Sequence, residues 1–315
     1  MKVLASAGRE DIATVSVAEL EPGKFIEFVE AVQPPKSRSE KWVLMISTLY
    51  GCPVGCAMCD AGGYYHGKVS KEDMFAQIDH MVLRHFPDRV ISCRQFKIQF
   101  ARMGEPSFNP AVLEVLEELP RRYQAPGFMP SISTIAPQST DDFFEQLIEI
   151  KNRIYADGNF QFQYSVHTTD EARRDVLIPV KKWDFAQMAV YGERFYQPGD
   201  RKITLNFALA EGQPVDPQVL LDYFDPEKFL IKITPLNPTY QAAEHGLTSY
   251  IDPYQQEREY AIVTALQEAG YQVLLAIGEV EENYIGSNCG QYVRRHLEAI
   301  DRVIEGYTYQ VESYQ

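Results

Sequence analysis

Three closely spaced cysteines carry the first chemistry that this sequence suggests. Cys52, Cys56 and Cys59 lie in a C-x3-C-x2-C arrangement within a stretch that contains glycine and proline. Cysteine thiolates hold iron–sulfur clusters, and a [4Fe–4S] cluster usually takes four of them. Three thiolates leave one iron open, and that iron can chelate the amino and carboxylate groups of S-adenosylmethionine (SAM) and pass it an electron. The spacing therefore predicts a cluster that cleaves SAM.

Two other uses of this triplet stay open on spacing alone. A zinc site usually takes a fourth cysteine or histidine, and His66 lies seven residues after Cys59. A disulfide needs an oxidising compartment, and the five cysteines of the chain are too few and too unevenly spread for a disulfide scaffold. The triplet follows a predicted strand and precedes a predicted helix, and in this arrangement it resembles the radical SAM superfamily.

The segments around the cysteines predict an α/β barrel. From Trp42 onward, strand-like apolar segments alternate with helix-like segments six or seven times. Such alternation is typical of a parallel sheet with helices outside, where functional groups lie at the carboxyl ends of the strands. We predict a partial (β/α)6 TIM-like radical SAM barrel over 42–278, an N-terminal β-hairpin extension over 1–41, and a C-terminal strand–helix extension whose loop and helix occupy 279–315.

The two ends of the chain give weaker patterns. Residues 1–10 suggest no regular element, and Ile12–Ala18 and Phe25–Val32 form a predicted hairpin around a Pro-Gly turn. A long helix is predicted over Pro253–Ala269, and a last helix over Gln291–Glu305.

Polar residues follow several of the predicted strands. They are Glu105 in a Gly-Glu-Pro turn after the second strand, Ser133 on the third, Ser165 and His167 at the end of the fourth, and Asn237 after the sixth. Small hydroxyls and an imidazole at one edge of a sheet can hold a carboxylate and a ribose. Taken singly, each residue also fits a structural role, as a helix cap, a partner for loop backbone or a turn residue.

Two cysteines, Cys93 and Cys289, lie outside the triplet, and the second of them suggests further chemistry. Cys289 lies in a loop flanked by Asn and Gly, just before the last predicted helix. A lone cysteine is often a buried structural residue. At the opening of a helix, however, its thiol pKa can fall and make it nucleophilic.

Composition limits the partners that the chain can be expected to bind. Its 30 basic and 44 acidic residues give a net charge of −14, and the basic residues occur in small groups. Because phosphate contacts supply most of the affinity for nucleic acids, this balance disfavours a large RNA substrate without excluding it. The sequence shows no signal-peptide segment and no apolar run of membrane-spanning length. We therefore predict a cytoplasmic protein without a membrane partner.

Taken in order, these motifs resemble the RlmN/Cfr family of radical SAM RNA methyltransferases. The resemblance runs from about Ile12 to Tyr292. It rests on the cluster loop 51–59, Met103-Gly104-Glu105-Pro106 with Asn109, Ser133-Thr134, Ser165-Val166-His167 with Arg174, Asp175 and Pro179, Asn237-Pro238, and Cys289-Gly290-Gln291.

The resemblance implies a mechanism that uses two SAM molecules. One methylates Cys289, and the other, on the cluster, gives a 5′-deoxyadenosyl radical that takes hydrogen from the S-methyl group. The methylene radical adds to an sp² carbon of the substrate, and a second cysteine then attacks Cys289 and forms a disulfide that frees the product. The resemblance also implies that Glu105 binds the SAM amino group, that Glu27 lies near a glutamate proposed to handle substrate protons, and that an electron donor such as flavodoxin or ferredoxin reduces the cluster.

The chain departs from this family in three respects. The family's second cysteine lies seven residues before the first cluster cysteine, where this chain has Met45, and a thioether cannot close a disulfide. Only about ten residues precede the predicted hairpin, so we expect the N-terminal RNA-recruiting domain of the family to be absent. The family binds RNA, whereas this chain is acidic. These departures favour a small-molecule or peptide substrate over ribosomal RNA.

Four functions therefore stay open on sequence alone. The first is transfer of a SAM-derived carbon through Cys289 to a non-ribosomal substrate. The second is direct hydrogen abstraction from the substrate by the 5′-deoxyadenosyl radical, with Cys289 structural or a hydrogen-atom donor. The third is a SAM- or cluster-binding regulator without turnover. The fourth is RNA methylation by an enzyme that a partner protein recruits, in which the barrel accepts a flipped base.

Overall fold

The computed structural model describes residues 1–288, 292–293 and 308–314. Its strands are β1 (Lys2–Arg9), β2 (Ala13–Glu21), β3 (Lys24–Val32), β4 (Trp42–Ile46), β5 (Phe96–Phe100), β6 (Phe128–Thr134), β7 (Gln161–Ser165), β8 (Ile203–Leu209), β9 (Phe229–Pro235), β10 (Val273–Leu275) and β11 (Glu312–Ser313). Its helices are α1 (Lys71–Val82), α2 (Ala111–Arg122), α3 (Asp141–Ile154), α4 (Glu171–Leu177), α5 (Phe185–Phe195), α6 (Pro217–Tyr223), α7 (Tyr240–Glu244), α8 (Ala261–Glu268) and α9 (Val280–Ile285).

One sheet joins all of these strands, in the order β10-β9-β8-β7-β6-β5-β4-β3-β2-β1-β11. From β4 to β10 each strand pairs in parallel with the next strand along the chain. Successive parallel strands need crossover connections, and the helices between the strands supply them. The predicted α/β class is confirmed, and the predicted barrel strands fall within a few residues of the observed ones.

The parallel strands present one apolar face and one polar face. On β5, Phe96, Ile98 and Phe100 are fully buried in the main hydrophobic core, whereas Lys97 and Gln99 alternate with them on the opposite side. Burying a large apolar side chain contributes about 1.5–3 kcal/mol, so the apolar face fixes the sheet against its helices. The polar face is left to line the interior of the barrel.

The N-terminal segment is more ordered than its sequence suggests. The predicted hairpin is present as β2 and β3, but Lys2–Arg9 forms a further strand, β1, that pairs antiparallel with β2. The expectation of an irregular start was wrong, because Ala5 and Ala7 are buried within the sheet and β11 pairs with the outer edge of β1. The strand β3 in turn pairs antiparallel with β4, which connects this meander to the barrel.

Two predicted helices are also revised. The helix expected over Pro253–Ala269 is present only as α8, since the Asp252 side chain accepts the Tyr254 amide in a turn that competes with helix formation. Most of the last predicted helix, Gln291–Glu305, lies outside the described residues. Cys289 also lies outside them. Among the described residues, none of the helices has the length and hydrophobicity of a membrane span.

Candidate active site

The carboxyl ends of the barrel strands open onto one cavity of about 760 Å³. It brings together every residue that the sequence suggested as a cluster ligand or SAM contact: Cys52, Cys56, Cys59, Glu105, Ser133, Ser165, His167 and Asn237. Glu27 is not part of the cavity wall. Cys289 lies outside the described residues, but its neighbour Asn288 lines the cavity.

The loop that carries the cysteines depends on a glycine at its entrance. Gly51 has a φ of 77°, and a Cβ atom at this position would lie 0.9 Å from the carbonyl oxygen of Tyr64. Only glycine can adopt this backbone conformation in so little space. Further along the loop, the Cys59 amide donates to the Cys56 carbonyl at 3.1 Å. The loop therefore turns back on itself tightly around the thiols.

Two other elements fix this loop from outside. The Ala57 amide donates to the carbonyl of Leu177, at the end of α4, at 2.9 Å. The Thr239 hydroxyl donates to the Met58 carbonyl at 2.9 Å, and the buried Asp60 carboxylate accepts the Gln241 amide at 2.9 Å. The loop is thus attached to the chain segments that follow β7 and β9.

The donor set fits an iron–sulfur cluster. All three thiols are partly exposed and line the cavity. Burial raises the pKa of Cys52 to about 11 and that of Cys56 to about 12, and binding of a metal would displace these protons. Among the described residues, no group of three or more Cys, His, Asp or Glu could hold a single metal ion. A [4Fe–4S] cluster does not require such convergence, because it offers a separate iron to each thiolate.

Glu105 is held in a fixed orientation by four donors. Its Oε1 accepts the Ser107 amide at 3.1 Å, the Ser107 hydroxyl at 2.8 Å and the Thr134 hydroxyl at 2.6 Å. Its Oε2 accepts the Ile135 amide at 3.0 Å. Burial raises the pKa of this carboxyl, and the four donors oppose that rise. The side chain therefore presents a pre-oriented acceptor at the cavity wall, as binding of an ammonium group requires.

His167 offers the cavity a neutral imidazole. Its φ of 69° turns the chain sharply after β7, and its Nδ1 accepts the Ala208 amide at 3.1 Å. Because Nδ1 is an acceptor, the proton of the neutral ring is assigned to Nε2. Burial, with a smaller contribution from the nearby Arg174 guanidinium, lowers the pKa of His167 to about 4. The ring can therefore donate a hydrogen bond from Nε2 at neutral pH without carrying charge.

This state of His167 predicts a pH dependence of stability. The unfolded imidazole titrates near 6.5 and the folded one near 4, so its contribution is complete above pH 6.5 and is lost as the pH falls to about 4. The displacement corresponds to about 3 kcal/mol of unfolding free energy between pH 7 and pH 4. We expect His167→Asn to remove that part of the pH dependence, as measured by denaturant titration of both proteins at the two pH values. An equal loss of stability in the two proteins would contradict it.

The remaining predicted SAM contacts occupy the strand ends. The Ser133 hydroxyl, on β6, accepts the Gln163 side-chain amide of β7 at 3.3 Å. Ser165 ends β7 and lies opposite Asn206 of β8 in the parallel register. Asn237 follows β9, where its carbonyl accepts the Thr239 amide at 2.9 Å.

Asn206 is a candidate ligand residue that the sequence analysis missed. Its side chain is about nine-tenths buried, lines the cavity, and has an Oδ1 atom that is buried without a hydrogen bond. A buried acceptor without a partner is costly unless a ligand or water satisfies it. The signal in the sequence was a single amide inside the apolar strand Ile203–Leu209. Asn206 therefore fits a hydroxyl or N–H donor of a bound molecule.

Glu27 lies on β3 but is not exposed to solvent. Its carboxylate is completely buried and forms an ion pair with Arg102, with 2.5 Å between Oε2 and Nη2. Met45, where the resemblance led us to expect a cysteine, lines the cavity next to Gln99 of β5.

Several curated proteins are similar in sequence to this chain. No family model matches the chain. The dual-specificity RNA methyltransferase RlmN of Halorhodospira halophila (strain DSM 244 / SL1) is 25% identical over 273 residues, which cover 84% of this chain and 69% of the relative. The probable RlmN of Desulfitobacterium hafniense (strain Y51) is 25% identical over 284 residues, which cover 88% of this chain and 74% of the relative.

Two solved structures share the fold. A radical SAM methyltransferase from Sphaerobacter thermophilus superimposes with a TM-score of 0.65 at 16% identity, covering 88% of this chain and 77% of that one. Streptococcus suis SuiB bound to S-adenosylmethionine superimposes with a TM-score of 0.51 at 15% identity, covering 76% of this chain and 50% of that one. Together the comparisons confirm the resemblance to RlmN/Cfr enzymes, the TIM-like barrel and the prediction of an enzyme.

Proposed function

We propose that this chain is a radical SAM methyltransferase that carries a SAM-derived carbon on Cys289 to an sp² carbon of a small-molecule or peptide substrate. The observation that supports it most is the single cavity lined by the three cysteines, Glu105, His167 and Asn288. One cavity can therefore serve the cluster, SAM and the chain that leads directly into Cys289.

Each group has a defined role in this proposal. When bound, the [4Fe–4S] cluster supplies the electron that cleaves SAM. Glu105 binds the SAM ammonium group, and Ser133, Ser165, His167 and Asn237 contact its carboxylate and ribose. The Cys289 thiol loses its proton to solvent, and the thiolate then takes a methyl group from the sulfonium of SAM and releases S-adenosylhomocysteine. Because Met45 replaces the second cysteine, the carbon leaves Cys289 with the help of an external thiol or by radical fragmentation.

The inner wall of the barrel supports a small polar substrate. It carries amides and hydroxyls from neighbouring strands, among them Gln99, Ser131, Gln161 and Gln163. Such groups recognise a ligand through hydrogen bonds within an enclosed site. The net charge of −14 gives no general attraction for a polyanion. A flavodoxin or ferredoxin would supply the electron.

The proposal predicts a modified Cys289. Mass spectrometry of the peptide containing this residue, from protein purified with its cluster intact, should show the mass gain of one methyl group. Methyl-labelled SAM should supply that group. Cys289→Ala should lose the label and form no product, yet still cleave SAM to 5′-deoxyadenosine. Full product formation by Cys289→Ala would exclude the carrier role.

A second candidate function is favoured by Met45, which lines the cavity where the resolving cysteine would be expected. In this case the 5′-deoxyadenosyl radical takes hydrogen directly from the substrate, and no carbon passes through Cys289. One SAM would then be consumed per product with no label transferred, which separates the two functions in a single experiment.

A further inference from the structure

The backbone just before Cys289 is bound by one buried guanidinium. Arg102 follows β5 and is 5% exposed. Its Nη1 donates to the carbonyl of Ser287 at 3.0 Å and reaches that of Asn288 at 3.4 Å, and its Nη2 donates to the carbonyl of Gly286 at 2.9 Å. Three consecutive carbonyls that follow α9 therefore share one side chain. A guanidinium suits this task because its donors form a rigid planar fork, whereas a lysine ammonium is a single point charge.

The backbone after Cys289 is bound by the partner of that guanidinium. Glu27, on β3, accepts Arg102 Nη2 at 2.5 Å and Nε at 3.2 Å through its Oε2 atom. Its other oxygen, Oε1, accepts the backbone amide of Val293. Glu27 and Arg102 thus bind the chain at 286–288 and at Val293, on both sides of Cys289.

Because Glu27 and Arg102 are buried, each of them depends on the hydrogen-bond partners that it has in this structure. Both side chains are at most 1% exposed, so water cannot replace a lost partner. Removal of either charge leaves the other buried and uncompensated, and leaves main-chain groups at 286–288 or Val293 without hydrogen bonds. The contacts also account for the burial of the Glu27 carboxylate on β3, away from the cavity wall.

We infer that Glu27 and Arg102 are positioning residues for the segment that carries Cys289, and that Glu27 acts through Arg102 and Val293 rather than on the substrate. The inference rests on the proposed carrier role of Cys289. The family resemblance implied that Glu27 handles substrate protons. We infer instead that Glu27 positions the backbone. Through β3 the meander supplies the carboxylate that binds Val293 and, through Arg102, is linked to the chain at 286–288.

The test uses Glu27→Gln and Arg102→Lys in the full-length protein with its cluster. Glu27→Gln places an amide NH₂ against the Arg102 donors or against the Val293 amide, and Arg102→Lys cannot reach three carbonyls and a carboxylate together. In both variants, hydrogen exchange of the peptides covering 286–288 and Val293 should rise by about tenfold or more. Methylation of Cys289 should fall by about 100-fold, a loss typical of small misplacements, and by far more than SAM cleavage falls.

A matched buried ion pair supplies the control. Lys151 and Asp200 form another buried ion pair, with side chains 1% and 7% exposed, and neither residue lines the cavity. Lys151→Met should lower stability and leave exchange at 286–293 as in the wild type. The double variant Glu27→Gln/Arg102→Lys should lose no more Cys289 methylation than the worse single variant, because both changes break one unit.

The outcomes separate this inference from the proposed function. A wild-type protein in which Cys289 is never methylated would overturn the carrier role, while hydrogen exchange would still report on the positioning pair. Unchanged exchange at 286–288 and Val293 in both variants would overturn the positioning role. Unchanged exchange with lost product in Glu27→Gln would instead restore proton handling to Glu27.

Discussion

Replacing Cys56 by alanine should strip the protein of its iron and abolish SAM cleavage. The three thiols face one cavity on a loop that other elements hold in place, so the loss of one ligand leaves two thiolates for the cluster. We expect the iron content to fall from about four per chain to near zero. Cleavage of SAM to 5′-deoxyadenosine should fall to background. Iron and sulfide assays of anaerobically reconstituted protein, together with the yield of 5′-deoxyadenosine, measure both effects.

Cys93 offers a matched control for that substitution. It is a free cysteine that is 2% exposed in the main hydrophobic core, away from the cavity wall. Cys93→Ala removes one buried sulfur atom and should cost about 1–2 kcal/mol of stability, with iron content and SAM cleavage retained. Loss of iron from Cys93→Ala, or full iron retention by Cys56→Ala, would overturn the assignment of the cluster ligands.

The cluster loop could be predicted because its chemistry is local. The three thiols lie within eight residues, and the turn glutamate and the hydroxyls lie at the ends of later strands. In a parallel α/β sheet, the last residues of every strand lie at the same edge. The alternation of strand and helix then fixes the order of the parallel strands. Glu105, Ser165 and His167 meet at the cavity for that reason.

The features that escaped prediction depend on distant partners. Glu27 binds Arg102 across 75 residues and Val293 across 266 residues, and no spacing rule connects such positions. The strand β1 exists because β2 and β11 supply its hydrogen bonds. In the sequence, Asn206 is an isolated amide within an apolar strand, and only the folded barrel shows that its side chain lines the cavity. The local sequence pattern therefore indicated which residues meet at the cavity, and long-range packing determined how these residues are held.

Replacing Glu105 should have the second large effect, on SAM binding. If its carboxylate pairs with the SAM ammonium group in a buried site, the charged hydrogen bond contributes about 2–3 kcal/mol, and Glu105→Ala should weaken SAM binding by about 100-fold. Equilibrium dialysis against labelled SAM, with cluster-loaded protein under non-reducing conditions, measures this change. Thr134→Ser is the control, since it keeps the hydroxyl that donates to Glu105 and should bind SAM nearly as the wild type does.

Glu105→Gln shows why a carboxylate, and not merely an acceptor, is required here. The Ser107 amide donates to one oxygen of Glu105 and the Ile135 amide to the other. Either orientation of a glutamine side chain turns its NH₂ group toward one of these main-chain donors, whereas the two oxygens of the glutamate can both accept. Glu105→Gln should therefore lose stability as well as SAM affinity, despite its nearly identical shape. Wild-type SAM affinity in Glu105→Gln would show that the SAM ammonium group binds a residue other than Glu105. The proposed SAM contacts of the cavity wall would then be wrong.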